Sequence, residues 1–272
     1  MNSDPRNTFE TDQARDGIER SDEIRDGRDA SDGELERLRQ AERFRTQFYS
    51  VLHHELKTPL TSIRAALDML LGPELSATHN TMVTRLLNNM GRSTSRLERL
   101  ISDLLDVAIA QGDDLPIFRG PVDISNVIHQ VVTELTPTAD SKGVFIAGGW
   151  RGGDGPMVTG DEIRLQQIMA NLLSNAIKAS PDCGPVLIDI AEVSANAEIS
   201  VANRGEPLDQ ELKDRLFEPF QKSAAGGYRA GTGLGLSVVN SLVAAHDGRI
   251  DLDDSGGQVK FTIVIPLWRG QN

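Results

Sequence analysis

The chain of 272 residues is poor in several things, and each shortage narrows its class. It has one cysteine, Cys183, so no disulfide can close within one chain, which fits a reducing compartment. No apolar run approaches the ~20 residues that span a bilayer. The stretch from Met1 to Asp32 is charged and lacks the apolar core of a signal peptide. Basic residues are outnumbered, 28 Lys and Arg against 40 Asp and Glu, for a net charge of −12. Such a chain has no broad attraction for nucleic acid or anionic lipid. A cytoplasmic protein with no nucleic-acid partner and no direct membrane insertion is expected. Any polyanion must be held by local structure: a helix N-terminus, a metal ion, one or two lysines. The P-loop pattern G-x-x-x-x-G-K-[ST] is absent, as are internal repeats.

What is present divides the chain. Residues 1–33 form a polar tail of Asp, Glu, Arg, Ser and Gly, expected to be disordered. From Glu34 a helical pattern begins, with Phe44, Phe48, Leu52, Leu56, Leu60, Ile63, Leu67 and Leu70 at steps of three or four, ended by Gly72-Pro73. A second helix is expected from Thr78 to Gln111. Val83, Leu87, Met90, Thr94, Leu97, Ile101, Leu104 and Ala108 alternate by four and three along it, a heptad seam. Two long helices with a short break make an antiparallel hairpin over 34–112 that cannot cover its own seam. A homodimeric four-helix bundle solves this. Residues 113–121 read as a linker, and 122–268 as a second domain.

In that domain Asp123 caps a helix from Ile124 to about Leu135, and helical runs follow at Asp161–Ser180, Gln210–Leu216 and Leu234–His246. Strand-like runs lie at Val144–Ala147, Val186–Ala191, Glu198–Ala202 and Val259–Pro266. The mixture predicts an α+β sandwich with its helices on one face of a mixed sheet. Between Gln221 and Gly233 lies a loop rich in Gly and Ala.

Two sites carry chemistry. Phe48 to Leu60 reads F-Y-S-V-L-H-H-E-L-K-T-P-L. On a helical wheel started at Phe44 the apolar stripe centres near ~80°, His53 falls on its flank near ~180°, and His54 lies opposite near ~280°. His54 is thus presented to solvent, with Thr58 one turn on and Glu55 adjacent. A neutral imidazole nitrogen attacks phosphoryl groups at neutral pH, and a carboxylate on the other ring nitrogen fixes the tautomer and stabilises the developing charge. Taken alone, an exposed histidine on a structural helix would look the same.

The second site is assembled from separate segments. Asn171, Asn175 and Lys178 are spaced four and three apart, on one face of a helix whose Leu165, Ile168, Met169, Leu172, Leu173 and Ile177 supply the buried remainder. Amide oxygens suit Mg²⁺ and a lysine suits phosphate, although two asparagines capping nearby loops would give the same pattern. Val201 to Gly205 reads V-A-N-R-G, Phe217 to Phe220 F-E-P-F, and Gly231 to Leu236 G-T-G-L-G-L before a helix. Glycines there admit close approach of phosphate to unpaired N–H groups.

The string H-E-L-K-T-P-L resembles the phosphoacceptor box of sensor histidine kinases almost residue for residue, with His54, directly before the Glu, as acceptor. The ordered boxes from Asn171 to Leu236 resemble the ATP-binding domain of histidine kinases, gyrase, Hsp90 and MutL, the GHKL or Bergerat fold. Together the resemblance covers about residues 40–268. It implies an enzyme that binds ATP and Mg²⁺, phosphorylates His54 and passes the group to an aspartate on a response-regulator receiver domain. By the same resemblance Asn175 coordinates Mg²⁺ with Asn171 beside it, and Lys178 contacts phosphate. Gly231, Thr232, Gly233, Leu234 and Gly235 close over the triphosphate, Phe217 and Phe220 anchor the base of that lid, and Lys222 reaches a phosphate. Each phenylalanine would serve equally as plain core. Glu55 with Thr58 matches the family's E-x-x-T pattern for dephosphorylating the regulator.

One position departs. The first glycine box begins in the family with Asp, which accepts from the adenine amino group; here Asn203 stands there, and Glu206-Pro207 replaces the second glycine, leaving Gly205. Asn accepts through its amide oxygen without charge. The departure keeps two other readings open, a non-catalytic dimerisation scaffold and an ATPase of the gyrase or MutL type.

Overall fold

The computed structural model describes residues 49–50, 52–53, 55–71, 80–110, 117–149, 155–221 and 233–270. The polar tail and the loop at 222–232 lie outside the described residues. Of the unit Met1–His54, residues 49–50 and 52–53 are helical. The elements described next belong to the unit Glu55–Asn272.

Helix α1 covers residues 55–71 and α2 covers Asn80–Ala110. An ion pair between Glu55 and Arg96 joins them. Burial within this single chain keeps Val83, Met90, Leu97 and Leu104 of the expected seam and moves the alternate positions by one residue. Leu86, Leu100 and Leu104 are buried, whereas Leu87 and Ile101 are 53% and 47% exposed. The reason is width: a bundle helix carries an apolar face of 100° or more, of which one neighbour covers part. The rows led by Leu86 and Leu87 are two edges of that face. On α1 the covered positions include Pro59 and Ala66, and the open ones Leu60 and Leu67.

The second domain begins earlier than the composition suggests. Strand β1, Gly120–Asp123, takes two residues from the expected linker and pairs antiparallel with β3, Met157–Gly160. Asp123 then caps α3, Ile124–Lys142, by accepting from the amides of Ser125 and Asn126. This helix runs seven residues past the expected end. Pro137 does not stop it; Gly143, at φ 71°, does, by supplying the left-handed cap.

The main sheet contains β2 (Phe145–Gly149), β4 (Pro185–Val193), β5 (Asn196–Arg204), β6 (Arg249–Asp253) and β7 (Gln258–Pro266). Their order is β2-β4-β5-β7-β6, with β2 parallel to β4 and the other pairs antiparallel. Helices α3, α4 (Glu162–Ala179) and α6 (Gly235–Ala245) pack side by side and on the sheet. The short α5, Gln210–Arg215, follows β5. Strands β1, β3 and β6 escaped the sequence reading because they are four or five residues long and carry Gly, Pro or Asp. Leu165, Ile168, Leu173, Leu242, Ile199, Ile263 and Ile265 are fully buried between helices and sheet.

His246 ties the two helices that matter most. Its ring is buried at the end of α6, Nε2 accepts from the amide of Asp161 at 3.1 Å, and Nδ1 donates to the carbonyl of Leu242 at 2.7 Å. Asp161 in turn caps the start of α4. Burial holds the His246 pKa below its ordinary value, so the ring is neutral.

Candidate functional site

Helix α4 is fixed at both ends. Asp161 accepts from the amides of Ile163 and Arg164. At the other end Lys142 Nζ donates to the carbonyls of Ile177 (3.0 Å), Lys178 (2.7 Å) and Ser180 (2.6 Å), the last-turn acceptors that a helix leaves open. Asn171 and Asn175, both half-buried, face the start of α6. A Cβ placed on Gly235 would stand 3.5 Å from Asn171 Oδ1 and 3.6 Å from Asn175 Nδ2. The amide nitrogen of Asn171 is buried and has no hydrogen-bond partner. A buried orphan of this kind costs about 1–3 kcal/mol, a cost tolerated where a ligand satisfies it. Lys178 lies near the end of the same helix face with its side chain exposed.

The glycine run and the Phe box are joined through backbone. Phe220 N–H donates to the Gly233 carbonyl at 2.8 Å, and both residues have positive φ, 68° and 73°. A Cβ on Gly233 would fall 2.6 Å from the Phe220 carbonyl carbon, so only glycine fits. Phe220 is buried and Phe217 half-buried. The side chain of Leu234 is buried as well, which leaves only its backbone to face a ligand. Lys222, Gly231 and Thr232 lie outside the described residues.

Asn203 is buried near the end of β5, the strand on which α4 packs. Its Nδ2 donates to the Arg204 carbonyl at 2.9 Å, which orients the amide oxygen, the acceptor, away from that bond. Gly205 follows, its N–H bonded to the Gly257 carbonyl at 3.2 Å. Among the described residues no group of three or more His, Cys, Asp or Glu side chains could hold a metal. An ion beside Asn171 and Asn175 would take amide oxygens, water and ligand phosphates, a hard donor set that fits Mg²⁺ and not zinc. A cavity of about 520 Å³ lies elsewhere, lined by Arg119, Thr159, Asn196 and Trp268, and includes none of these residues.

On the helical side His54 is outside the described residues. Glu55 is buried, Thr58 exposed and Pro59 buried. His53, placed by its spacing on the flank, is exposed. Pro59 has no N–H, so it cannot give the Glu55 carbonyl the usual intrahelical hydrogen bond. Arg96 Nη2 stands 3.0 Å from Glu55 Oε2.

The far end of α2 meets the second domain. Asp106, buried, accepts from Arg164 Nη1 at 2.9 Å and from Gln167 Nε2 at 2.7 Å, and α2 also packs on α6. Periodicity missed Arg96, Asp106, Arg164 and Gln167. Each reads as an ordinary surface charge or amide, and their partners are 41 to 61 positions away in the chain.

This geometry meets its match among known proteins at both ends. Residues 44–112 match the His Kinase A (phospho-acceptor) domain, and residues 160–269 match the histidine kinase-, DNA gyrase B- and HSP90-like ATPase domain. A phosphoacceptor helical region is therefore followed by an ATP-binding domain of the GHKL type, and the chain belongs to the sensor histidine kinase family. It is similar to the sensor histidine kinase RcsC of Escherichia coli, 33% identical over 240 residues, which is 85% of this chain and 24% of RcsC. The chain thus spans about a quarter of that relative's length. Among solved structures it resembles the histidine kinase AdeS of Acinetobacter baumannii, at 25% identity and a TM-score of 0.58, covering 79% of this chain and 98% of that one. It also resembles ShkA in complex with AMPPNP, at 28% identity and a TM-score of 0.60, covering 84% and 47%. Among the described residues no helix is long and apolar enough to cross a membrane.

Proposed function

We propose that this chain is the catalytic part of a histidine kinase that binds Mg-ATP and phosphorylates its own His54. The observation that carries the reading is the meeting of Asn171 and Asn175 with Gly235 at the N-terminus of α6, in a chain that also carries H-E-L-K-T-P-L. A helix N-terminus presents unpaired N–H groups to phosphate, and the orphaned Asn171 amide adds a donor. The Asn175 oxygen is the proposed Mg²⁺ ligand, and the ion when bound neutralises phosphate charge. Lys178, Lys222 and the backbone from Gly231 to Gly235 hold the triphosphate. Asn203 accepts from adenine through its amide oxygen, beside Gly205.

In the reaction a neutral nitrogen of His54 forms a bond to the γ-phosphorus while the bond to the bridging oxygen breaks, and the electron pair leaves with ADP. Glu55 orients the ring and balances its charge. The phosphoryl group then passes to an aspartate of a response regulator. Thr58, exposed one turn on, positions a water that hydrolyses the regulator's phosphoaspartate, releasing inorganic phosphate. The open row of Leu60, Leu67, Leu87 and Ile101 supports a homodimeric bundle over 34–112. Movement of the second domain against the stalk, about the linker expected near 112–121, brings the γ-phosphate to His54. This portion would work in the cytoplasm, where ATP is available.

Incubation with [γ-³²P]ATP tests the reading. Acid-labile label is expected in the wild type and none in His54→Gln. ATP hydrolysis without labelling would instead make the chain an ATPase of the gyrase or MutL type. The Asn203 departure favours a scaffold that binds weakly and transfers nothing. Asn203→Asp restores a charged acceptor and is expected to tighten ATP binding about tenfold by titration, since charge-assisted bonds are roughly twice as strong as neutral ones. Unchanged affinity would remove Asn203 from the adenine site.

A further inference from the structure

We infer that Arg96 is a positioning residue for phosphotransfer, acting through Glu55. The inference deepens the kinase reading above and rests on it. Glu55 follows His54 in the chain, and its side chain is 10% exposed, whereas that of Arg96 is 49% exposed. A carboxylate drawn so far out of water is costly unless it is paired. Arg96 supplies the pair at 3.0 Å from a position 41 residues away on α2. The contact therefore fixes the carboxylate relative to the second helix as well as to its own.

The backbone makes this anchor more important. Pro59 has no N–H to give the Glu55 carbonyl the usual helical hydrogen bond, so a contact from α2 adds a constraint that the regular ladder of α1 does not supply there. A carboxylate that must orient an imidazole has to be held itself, because small misplacements of a positioning group are costly in rate. Arg suits the task better than Lys, since its planar fork fixes direction as well as charge. Loss of Arg96 leaves the Glu55 carboxylate without this partner in a site only 10% exposed, so some loss of hairpin stability accompanies it, while the ATP-binding residues on α4 and α6 are untouched and the diagnostic readout is the rate at saturating ATP.

The experiment uses the full chain and follows acid-labile label with time across ATP concentrations. Wild type is compared with Arg96→Gln, Arg96→Lys, Glu55→Gln and the double variant Glu55→Gln/Arg96→Gln. Arg96→Met, which keeps the apolar stem, replaces Arg96→Gln should the latter not fold. The expected result is a rate at saturating ATP lowered about tenfold in Arg96→Gln, a KM for ATP within about twofold of wild type, and only partial recovery of the rate in Arg96→Lys, which restores the charge but not the planar fork. The double variant is expected to be no slower than Glu55→Gln alone, because residues acting as a unit are not additive. The inference is overturned if Arg96→Gln matches or exceeds wild type, if its effect is confined to KM, or if it costs as much in the Glu55→Gln background. A wild type that never labels at His54 overturns the kinase reading and this inference together. A labelled wild type with an indifferent Arg96→Gln overturns this inference alone.

Discussion

The hairpin and the ATP-binding domain differ in how completely one chain buries its own apolar side chains. In the domain, Leu165, Ile168, Leu173 and Ile263 have lost all contact with water. Among the described residues of the hairpin, Ala66, Leu86, Leu100 and Leu104 are buried, while Leu60, Leu67, Leu87 and Ile101 stand open. The domain has a finished core because three helices lie over a five-stranded sheet. Two helices side by side have no third layer to close theirs. The contrast separates a part whose apolar core is closed within one chain from a part that leaves an apolar row open, as the proposed homodimer requires.

That contrast can be broken most severely at the open row. Leu87→Asp together with Ile101→Asp puts two charges per protomer where the bundle needs apolar surface, at a cost of at least about 4 kcal/mol of association. Light scattering is expected to show a monomer whose ATP-binding domain melts as in the wild type. A persistent dimer would mean that the row is not the interface. A smaller effect is expected inside the domain. Gly233→Ala forces a Cβ into the Phe220 backbone at positive φ, a strain of about 1–3 kcal/mol. The domain's melting temperature and ATP affinity should fall while dimerisation is untouched.

The smallest effect is one of pH, and it too belongs to the domain alone. Burial lowers the His246 pKa in the folded state, so the unfolded chain binds the proton more tightly. The contribution is fully present above the unfolded value of about 6.5 and is lost as pH falls through and below it. Asp161, Asp247 and Arg119 are the charged groups acting on the ring. Thermal melts between pH 7.5 and 5.5 should show this loss in the wild type and a flatter profile in His246→Gln. A wild type as stable at the acid end as at the neutral end would exclude the effect.

Much of this was legible in the sequence because the signals were local. The apolar residues of α4, the cap at Asp123 and the three longer strands follow from periodicity and a few side chains, and the structure carries them at nearly the expected residues. The placement of Asn171 and Asn175 against Gly235 joins segments sixty positions apart, and only the ordered family boxes announced it. The ion pairs of Glu55 with Arg96 and of Asp106 with Arg164 had no local signal at all. A charged residue on a helix reads alike whether it faces solvent or a partner from a distant segment. The rotated stripe on α2 was missed for a related reason: heptads 83-87-90 and 83-86-90 are both apolar, and the choice between them is made by the neighbouring helix.

The clasp on Asp106 has a mechanical meaning once α4 is viewed along its length. Arg164 and Gln167, which grip Asp106, and Asn171 and Asn175, which face Gly235, follow one another at steps of three, four and four along a single helical row. From the first to the last is about 16 Å of continuous α-helix. A rod of that length, packed in the domain's core, cannot bend between its ends. The residues that join α4 to the stalk and those that meet the start of α6 therefore ride on one continuous element, so a shift of either end is carried to the other.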